Sequence, residues 1–426
     1  MRIAQTSTIN LIFNINMEIN RIVLIGNGFD LAHKLPTSYQ DFIRDYWSSI
    51  GHDIDELGSR KFCIKDDLLH VQCGHMLIYS SRNVEKIQSY EEFNEYLKGV
   101  SGVDLKHIST FLEIINNAVD TYGWVDIENL YYTTLKDIIF GKRGYYSVEE
   151  LNKDLNSIKL KLQDYLTKVS NNCVLDRLPG IHNAIYSSLK FRDCSVYSED
   201  IFQQFVNCRL TEERSITTRR LARYSYDPEY EMLSLKSNKY QAEGKLISDV
   251  LDNKDVPIPY MLPSDIVFLN FNYTNTSNTY LAKNSDVETI HIHGELNNKD
   301  NPIVFGYGDE MDEDYKKILN LNDNSYLEKS KSNSYLETDN YKRILRYMNS
   351  APFQVVIIGH SCGNSDRTLL NTIFEHRNCI SIKPCYYQKD DGTDNYRELI
   401  QNISRNFNDM ARMRDLVACK EYCDKI

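Results

Sequence analysis

The sequence predicts an α/β protein in which a Rossmann-like parallel sheet is interrupted by a large, mainly α-helical insert. Three observations predict it. Short continuous apolar runs occur near both ends of the chain, the form taken by strands buried on both faces of a parallel sheet. Helix-periodic segments fill the middle. Each apolar run ends in a cluster of Gly, Asn, His or Asp, and in open parallel sheets the ligand crevice lies outside the carboxyl ends of the strands.

The elements follow in order. Residues 1–16 read as a possible upstream extension, because the patch Leu11-Ile12-Phe13 has no cleavage pattern behind it. Met17-Glu18-Ile19-Asn20 makes a more natural beginning. The first strand, Ile22-Val23-Leu24-Ile25, runs into Gly26-Asn27-Gly28-Phe29-Asp30, and a helix is expected to start near Phe29-Asp30. Two glycines there let backbone approach backbone or ligand closely, and the helix N–H groups would face the same crevice, as in a phosphate-holding turn. Leu31 occupies the third small-residue position, and no acidic residue closes a second strand about 20 residues on, so this is not a dehydrogenase fingerprint.

A helix is expected over about 39 to 50, followed by the insert, residues 51–254. Within it Tyr90–Leu97, Leu105–Val119, Ile127–Phe140 and Val148–Val169 carry apolar residues at three- and four-residue spacing. Ser147 followed by Glu149 and Glu150 is a helix start. Pro257, Pro259 and Pro263 mark the exit. Strands are then expected at Asp265–Phe271, Val287–Ile292, Phe353–Ile358 and Cys379–Tyr387. The polar stretch 308–340, where N-S-Y-L-E occurs twice, reads as a mobile surface loop or irregular helix. The nucleotide-binding α/β domain would thus comprise 17–50 and 255–426.

Composition bounds the function. A chain of 426 residues, 42% of them hydrophobic, can bury one large core or two smaller ones. A net charge of −11 without a long basic block argues against a nucleic-acid surface. None of the ten cysteines forms a C-x-x-C pair, so neither a zinc knuckle nor another metal is expected, and they read as reduced thiols of a cytoplasmic protein. No run approaches a membrane span. The 30 tyrosines suit packing and interfaces, including those of a homo-oligomer.

Four strand-end clusters carry the chemistry: Gly26-Asn27-Gly28, Asn270-Phe271-Asn272-Tyr273-Thr274, His291-Ile292-His293-Gly294 and Gly359-His360-Ser361-Cys362-Gly363-Asn364-Ser365-Asp366. His291 and His293 flank Ile292 at the end of the strand, and one of them is expected to face the crevice. His293, nearer the strand end, is the candidate base, being near neutrality in its ordinary pKa. The Asn272 amide both donates and accepts, and could fix a ribose hydroxyl and an attacking water together. Asp30 and Asp366 could bind ribose hydroxyls or cap helices. In Trp124-Val125-Asp126-Ile127-Glu128 the acids suit a helix start, or Glu128 could reach the crevice as a second carboxylate.

The order of these clusters resembles the sirtuin-like NAD-binding fold. Gly26, Gly28, Leu35, Pro36 and Thr37 match its G-A-G-x-S-x-x-x-G-[IL]-P-T-F loop, and Asn272 matches the Asn of T-x-N-x-D. His293 matches [LI]-H-G, and Gly359, Ser361 and Asp366 match G-[YH]-S-x-x-D-x-D. More narrowly, G-N-G-F-D-L-A-H-x-L-P-T-S-Y, W-V-D-I-E, N-Y-T, H-I-H-G-E and I-G-H-S-x-G-x-S-D together resemble the AbiH family of bacteriophage abortive-infection proteins, over about residues 20 to 376. The resemblance implies an anti-phage protein that binds NAD and cleaves its nicotinamide–ribose bond, with a phage-encoded trigger as partner. It implies Asn272 and His293 as catalytic residues, and Gly26, Asn27, Gly28, Phe29, Asp30, Gly359, Ser361 and Asp366 as holding the nucleotide. Asn27 and Asp30 replace small residues of the sirtuin loop, Thr274 replaces an acid, and the zinc cysteine pairs of protein deacetylases are missing. Two other readings stand beside it. One keeps the fold as a non-catalytic sensor of a nucleotide or ADP-ribose. The other takes Gly359-His360-Ser361-Cys362-Gly363 as the G-x-S-x-G elbow of an esterase, although only His376 follows Ser361 and no acid–histidine order fits.

Overall fold

The computed structural model describes residues 18–57, 61–73, 87–99, 102–122, 126–144, 146–171, 173, 175–194, 199–211, 248–249, 251–252, 261–281 and 287–426. The expected extension, Trp124, Pro257 and Pro259 lie outside them. Eight strands are described: β1 Asn20–Ile25, β2 Phe62–Lys65, β3 Leu69–Cys73, β4 Val103–Ile108, β5 Ile266–Asn270, β6 Glu288–His291, β7 Phe353–Ile358 and β8 Cys379–Pro384. Five of them form one all-parallel sheet in the order β6-β5-β1-β7-β8. The α/β expectation therefore holds, and each of its five expected strands is present.

Every residue of β1, β5, β7 and β8 is buried, because both faces of this sheet are covered. Alternation assigns the faces. Ile22, Leu24, Val355 and Ile357 pack with Ile344, Met348, Leu370 and Ile403 from the helices Asn340–Ser350, Arg367–Phe374 and Tyr396–Arg405. Val23, Ile25, Phe268 and Val356 pack with Ile181 and Ile185 of the helix Pro179–Tyr186. That helix falls in the sequence range of the insert but covers the sheet. Arg21 ties it down: the buried guanidinium donates to Gln354 Oε1 and to the carbonyls of Ile185 and Ser187.

The described part of the insert up to Asn171 is mainly helical and shares a core with the helix Tyr39–Leu57, in which Trp47, Phe93, Phe111 and Tyr131 meet, whereas Phe202 and Phe205 pack with Ile380 of β8. Tyr90–Gly99, Ile127–Ile139 and Val148–Asn171 fall where periodicity places them. Ser147 and Glu150 form a reciprocal capping box, with Glu150 N donating to Ser147 Oγ and Ser147 N to Glu150 Oε2. One expected helix is corrected. Leu105–Val119 is split into β4 and a helix, Thr110–Tyr122, because Val103–Lys106 alternates at period two before Ser109 caps the helix through Leu112 N. β4 joins β2 and β3 in a small antiparallel sheet.

Of the two readings of the polar stretch 308–340, the structure shows the irregular helix, packed against the core, and not a surface loop. The stretch contains the helices Glu313–Asn320 and Lys331–Ser334, and Tyr315 and Ile318 enter the core of the insert. The duplicated pentapeptide has no structural repeat: Tyr335 is buried, whereas the first copy forms a 3₁₀ turn, Asn324–Tyr326. Among the described residues no helix is long and apolar enough to cross a membrane.

Candidate functional site

The four clusters converge at the carboxyl edge of the sheet, but they divide into two unlike parts. The first is the glycine turn. A Cβ on Gly26 would lie 2.5 Å from His360 Cα, and one on Gly28 would lie 2.8 Å from Gly359 Cα. Gly359 itself has φ +69°, which suits glycine alone at such a contact. Both glycines of the turn are thus required by the close passage of the β7 loop. The donors are spent as well: Gly26 N binds Ile358 O, Gly28 N binds Gly359 O at 2.8 Å, and Phe29 N binds Gly26 O. The helix that follows has only six residues, Asn27–Ala32. Asn27 Oδ1 accepts from Thr37 Oγ1, and Phe29 is buried against His33 and Tyr280. In this conformation Gly26 and Gly28 pack against and hydrogen-bond the end of β7 and the loop after it.

Asp30 and Asn272 sit beside that turn. Asp30 is buried, and Oδ2 accepts from the Thr274 hydroxyl at 2.5 Å while Oδ1 has no hydrogen-bond partner. Burial pushes its carboxyl up, against the pull of Thr274, Thr276 and Asn272. Thr274, which stands where the sirtuin pattern has an acid, therefore serves the acid supplied by Asp30. Asn272 N donates to Asn270 Oδ1, and its side chain donates to Gly26 O at 3.0 Å. His291 faces this Asn-rich loop, with Nδ1 3.4 Å from Asn272 O.

The second part is a buried charged cluster. His293 Nε2 lies 3.1 Å from Asp366 Oδ1 and 3.1 Å from the Tyr335 hydroxyl. Lys331 Nζ lies 2.8 Å from the same Asp366 oxygen and 2.9 Å from Glu128 Oε2. Glu128 Oε1 accepts from Gly306 N. His360 Nδ1 accepts from Cys362 N, so its Nε2 carries the proton and points at Asp366 Oδ2, 3.5 Å away. The Phe271 ring packs edge-on to both imidazoles. Asp366 stands at the head of Arg367–Phe374 without making a capping bond, so the capping role is excluded for it.

These contacts set protonation. Burial raises the Glu128 carboxyl, to about 7, against the pull of Lys331. Burial also raises Asp366, but Lys331 and His293 outweigh it and hold the carboxyl well below the usual carboxylate range. Burial and then the Lys331 charge lower His293 to about 4, so above that pH it is a neutral imidazole. As a carboxylate Asp366 can only accept, so His293 donates its Nε2 proton and keeps a lone pair on Nδ1, which makes no hydrogen bond among the described residues.

Sequence left Asp126 and Glu128 between two roles, and the structure gives one to each. Asp126 caps its helix through Asn129 N, and Glu128 faces the cluster. Lys331, His360 and Tyr335 were not foreseen as members of the site. Ser361 is exposed, and no histidine or carboxylate among the described residues bonds its hydroxyl. The positive φ belongs to Cys362, 55°, and not to Ser361. His376 Nδ1 accepts from Asn378 N. The elbow therefore has no triad, and the esterase reading is set aside. Beside Glu128, Asn129, Tyr132, Tyr307 and Asp309 line a cavity of about 10 Å³, room for about one water.

A family model for bacteriophage abortive infection, AbiH, matches residues 86–387. The chain belongs to that family. It is an AbiH anti-phage defence protein. The match contains Glu128, Asn272, His293, Lys331 and Asp366, and it begins after the glycine turn. No curated protein and no solved structure matches the chain.

Proposed function

We propose that this AbiH protein binds NAD at the carboxyl edge of the sheet, in a sirtuin-like core, and hydrolyses the nicotinamide–ribose bond to deplete NAD on infection. The observation that carries the reading is the His293–Asp366 pair: a buried, neutral imidazole oriented through Nε2, with Nδ1 left to accept a proton. A base fixed by a carboxylate is the arrangement that general-base catalysis needs.

In the reaction the C1′–N bond breaks and its electron pair neutralises the pyridinium ring, so nicotinamide leaves uncharged. Water adds to the oxocarbenium-like carbon and gives its proton to His293 Nδ1, leaving ADP-ribose. Asn272 and the unpartnered Asp30 Oδ1 supply polar atoms for ribose hydroxyls. Asp366 holds the imidazole through Nε2 while Nδ1 takes the proton.

A second reading keeps the same edge as a nucleotide or ADP-ribose sensor in a defence complex, since Thr274 stands where the sirtuin pattern has an acid and its hydroxyl is engaged by Asp30. Incubating the purified full chain with NAD, with and without phage lysate, and following nicotinamide release separates the two. Release in either condition supports the hydrolase. Binding of NAD or ADP-ribose without release in both supports the sensor.

A further inference from the structure

Hydrolysis by His293 needs an imidazole base and a carboxylate beside it, which leaves Lys331 unexplained. Its ammonium is fully enclosed, on a four-residue helix, between a carboxylate of the insert and one of the β7 loop. A carboxylate facing an imidazole alone favours the imidazolium, which has no lone pair with which to take a proton. Here the oxygen that meets His293 Nε2 already carries the Lys331 ammonium 2.8 Å away. A second cation on that oxygen would be repelled by the first.

We propose that Lys331 is a positioning residue for His293: held by Glu128 of the insert, it occupies Asp366 Oδ1 so that His293 keeps one arrangement, Nε2–H toward Asp366 and Nδ1 toward substrate. The inference rests on the reading of His293 as the base. The groups around the pair support it. Glu128 comes from the helix Ile127–Ile139, Asp366 and His360 from the β7 loop, Tyr273 from the β5 loop and Tyr335 from the Lys331 segment itself. Burial raises Tyr273 and Tyr335 well above the usual range, so both stay neutral. Lys331 is thus the cation that lowers His293 most among its charged neighbours. Because Glu128 belongs to the insert, docking of the insert and the state of the base are linked through one ammonium.

The test reads His293 by NMR in histidine-labelled, ligand-free full chain, with its ring signals assigned by loss in His293→Gln. In the parent the ring is the Nε2–H tautomer and titrates near 4. Lys331→Met alone strands two carboxylates, so Lys331→Met/Glu128→Gln is the informative variant. In it the His293 midpoint rises above the parent's, at least a tenfold gain in proton affinity, while burial still holds part of the lowering. Lys331→Arg restores the low midpoint. A midpoint that stays near 4 in the double variant overturns the proposal. So does a parent ring that already titrates near 6.5, a result that stands even where the variant fails to fold. No substrate is involved. The expected titration in a chain that never releases nicotinamide keeps the positioning role and sinks the hydrolase, and turnover with an unmoved titration does the reverse.

Discussion

The glycine turn after β1 and the charged cluster over β5–β7 lie on the same sheet edge, yet their sequence signals and their contents are inverted. The turn has the stronger motif, and its two glycines and their two backbone donors are engaged by the end of β7 and the loop after it. The cluster is assembled from Glu128, His293, Lys331 and Asp366, which are spread over more than two hundred residues. A glycine motif reports that something passes close to the backbone, and here that something is Gly359. Ionisable groups brought into a dry interior report more about chemistry, because burying charge is costly unless each group is partnered.

Four variants sharpen or break this contrast. The largest effect is expected from Lys331→Met, which leaves two buried carboxylates without their cation and should cost about 3–5 kcal/mol in chemical denaturation. A loss below about 1 kcal/mol would mean that the cluster is a loosely held surface feature. Next comes the pH dependence of stability in Glu128→Gln. The Glu128 carboxyl, raised in the folded chain to about 7, contributes stability present below its unfolded value of 4.5 and lost as pH rises through 7. His293, lowered to about 4, contributes stability present above 6.5 and lost as pH falls through 4. The two oppose each other between those limits, so their joint contribution changes little there. Removing Glu128 exposes the histidine, so Glu128→Gln should lose roughly 1–3 kcal/mol between pH 6.5 and 4 relative to parent. An identical profile in both proteins would show that the two groups do not titrate as their surroundings require.

Gly28→Val follows. It forces a side chain against Gly359 and should destabilise the chain by about 1–3 kcal/mol, read as a lower melting temperature. A fully stable Gly28→Val that has lost nucleotide binding would return the turn to the role of a phosphate loop. The smallest effect belongs to Ser361→Ala, within about 0.5 kcal/mol and without change in nicotinamide release. Loss of an esterase activity in that variant would revive the elbow.

The sheet was legible because a parallel strand buried on both faces is written as one local apolar run, as in Phe353–Ile358. His293 was chosen over His291 because it lies nearer the strand end; β6 stops at His291, and His293, beyond it, meets Asp366 while His291 faces the Asn272 loop. Lys331 was not legible. Its neighbours Ser330, Ser332, Asn333 and Ser334 are polar, and no periodicity distinguishes a buried lysine from a solvated one when its partners are 203 and 35 residues away. β4 was misread for a different reason: only Val103–Lys106 alternate before the chain runs without a breaker into a longer helical pattern, and only Ser109 marks the join. The glycine turn was read in the right place, but its contact with Gly359 was not legible, because that partner is more than three hundred residues away.

The most direct measurement compares nicotinamide release from NAD at neutral pH by the parent chain, His293→Gln and Asn272→Ala, under conditions in which the parent is active. The account predicts that both variants fold and that each releases nicotinamide about a hundredfold or more slowly, the scale of a lost general base or a lost positioning group. Release at the parent rate by His293→Gln would contradict it.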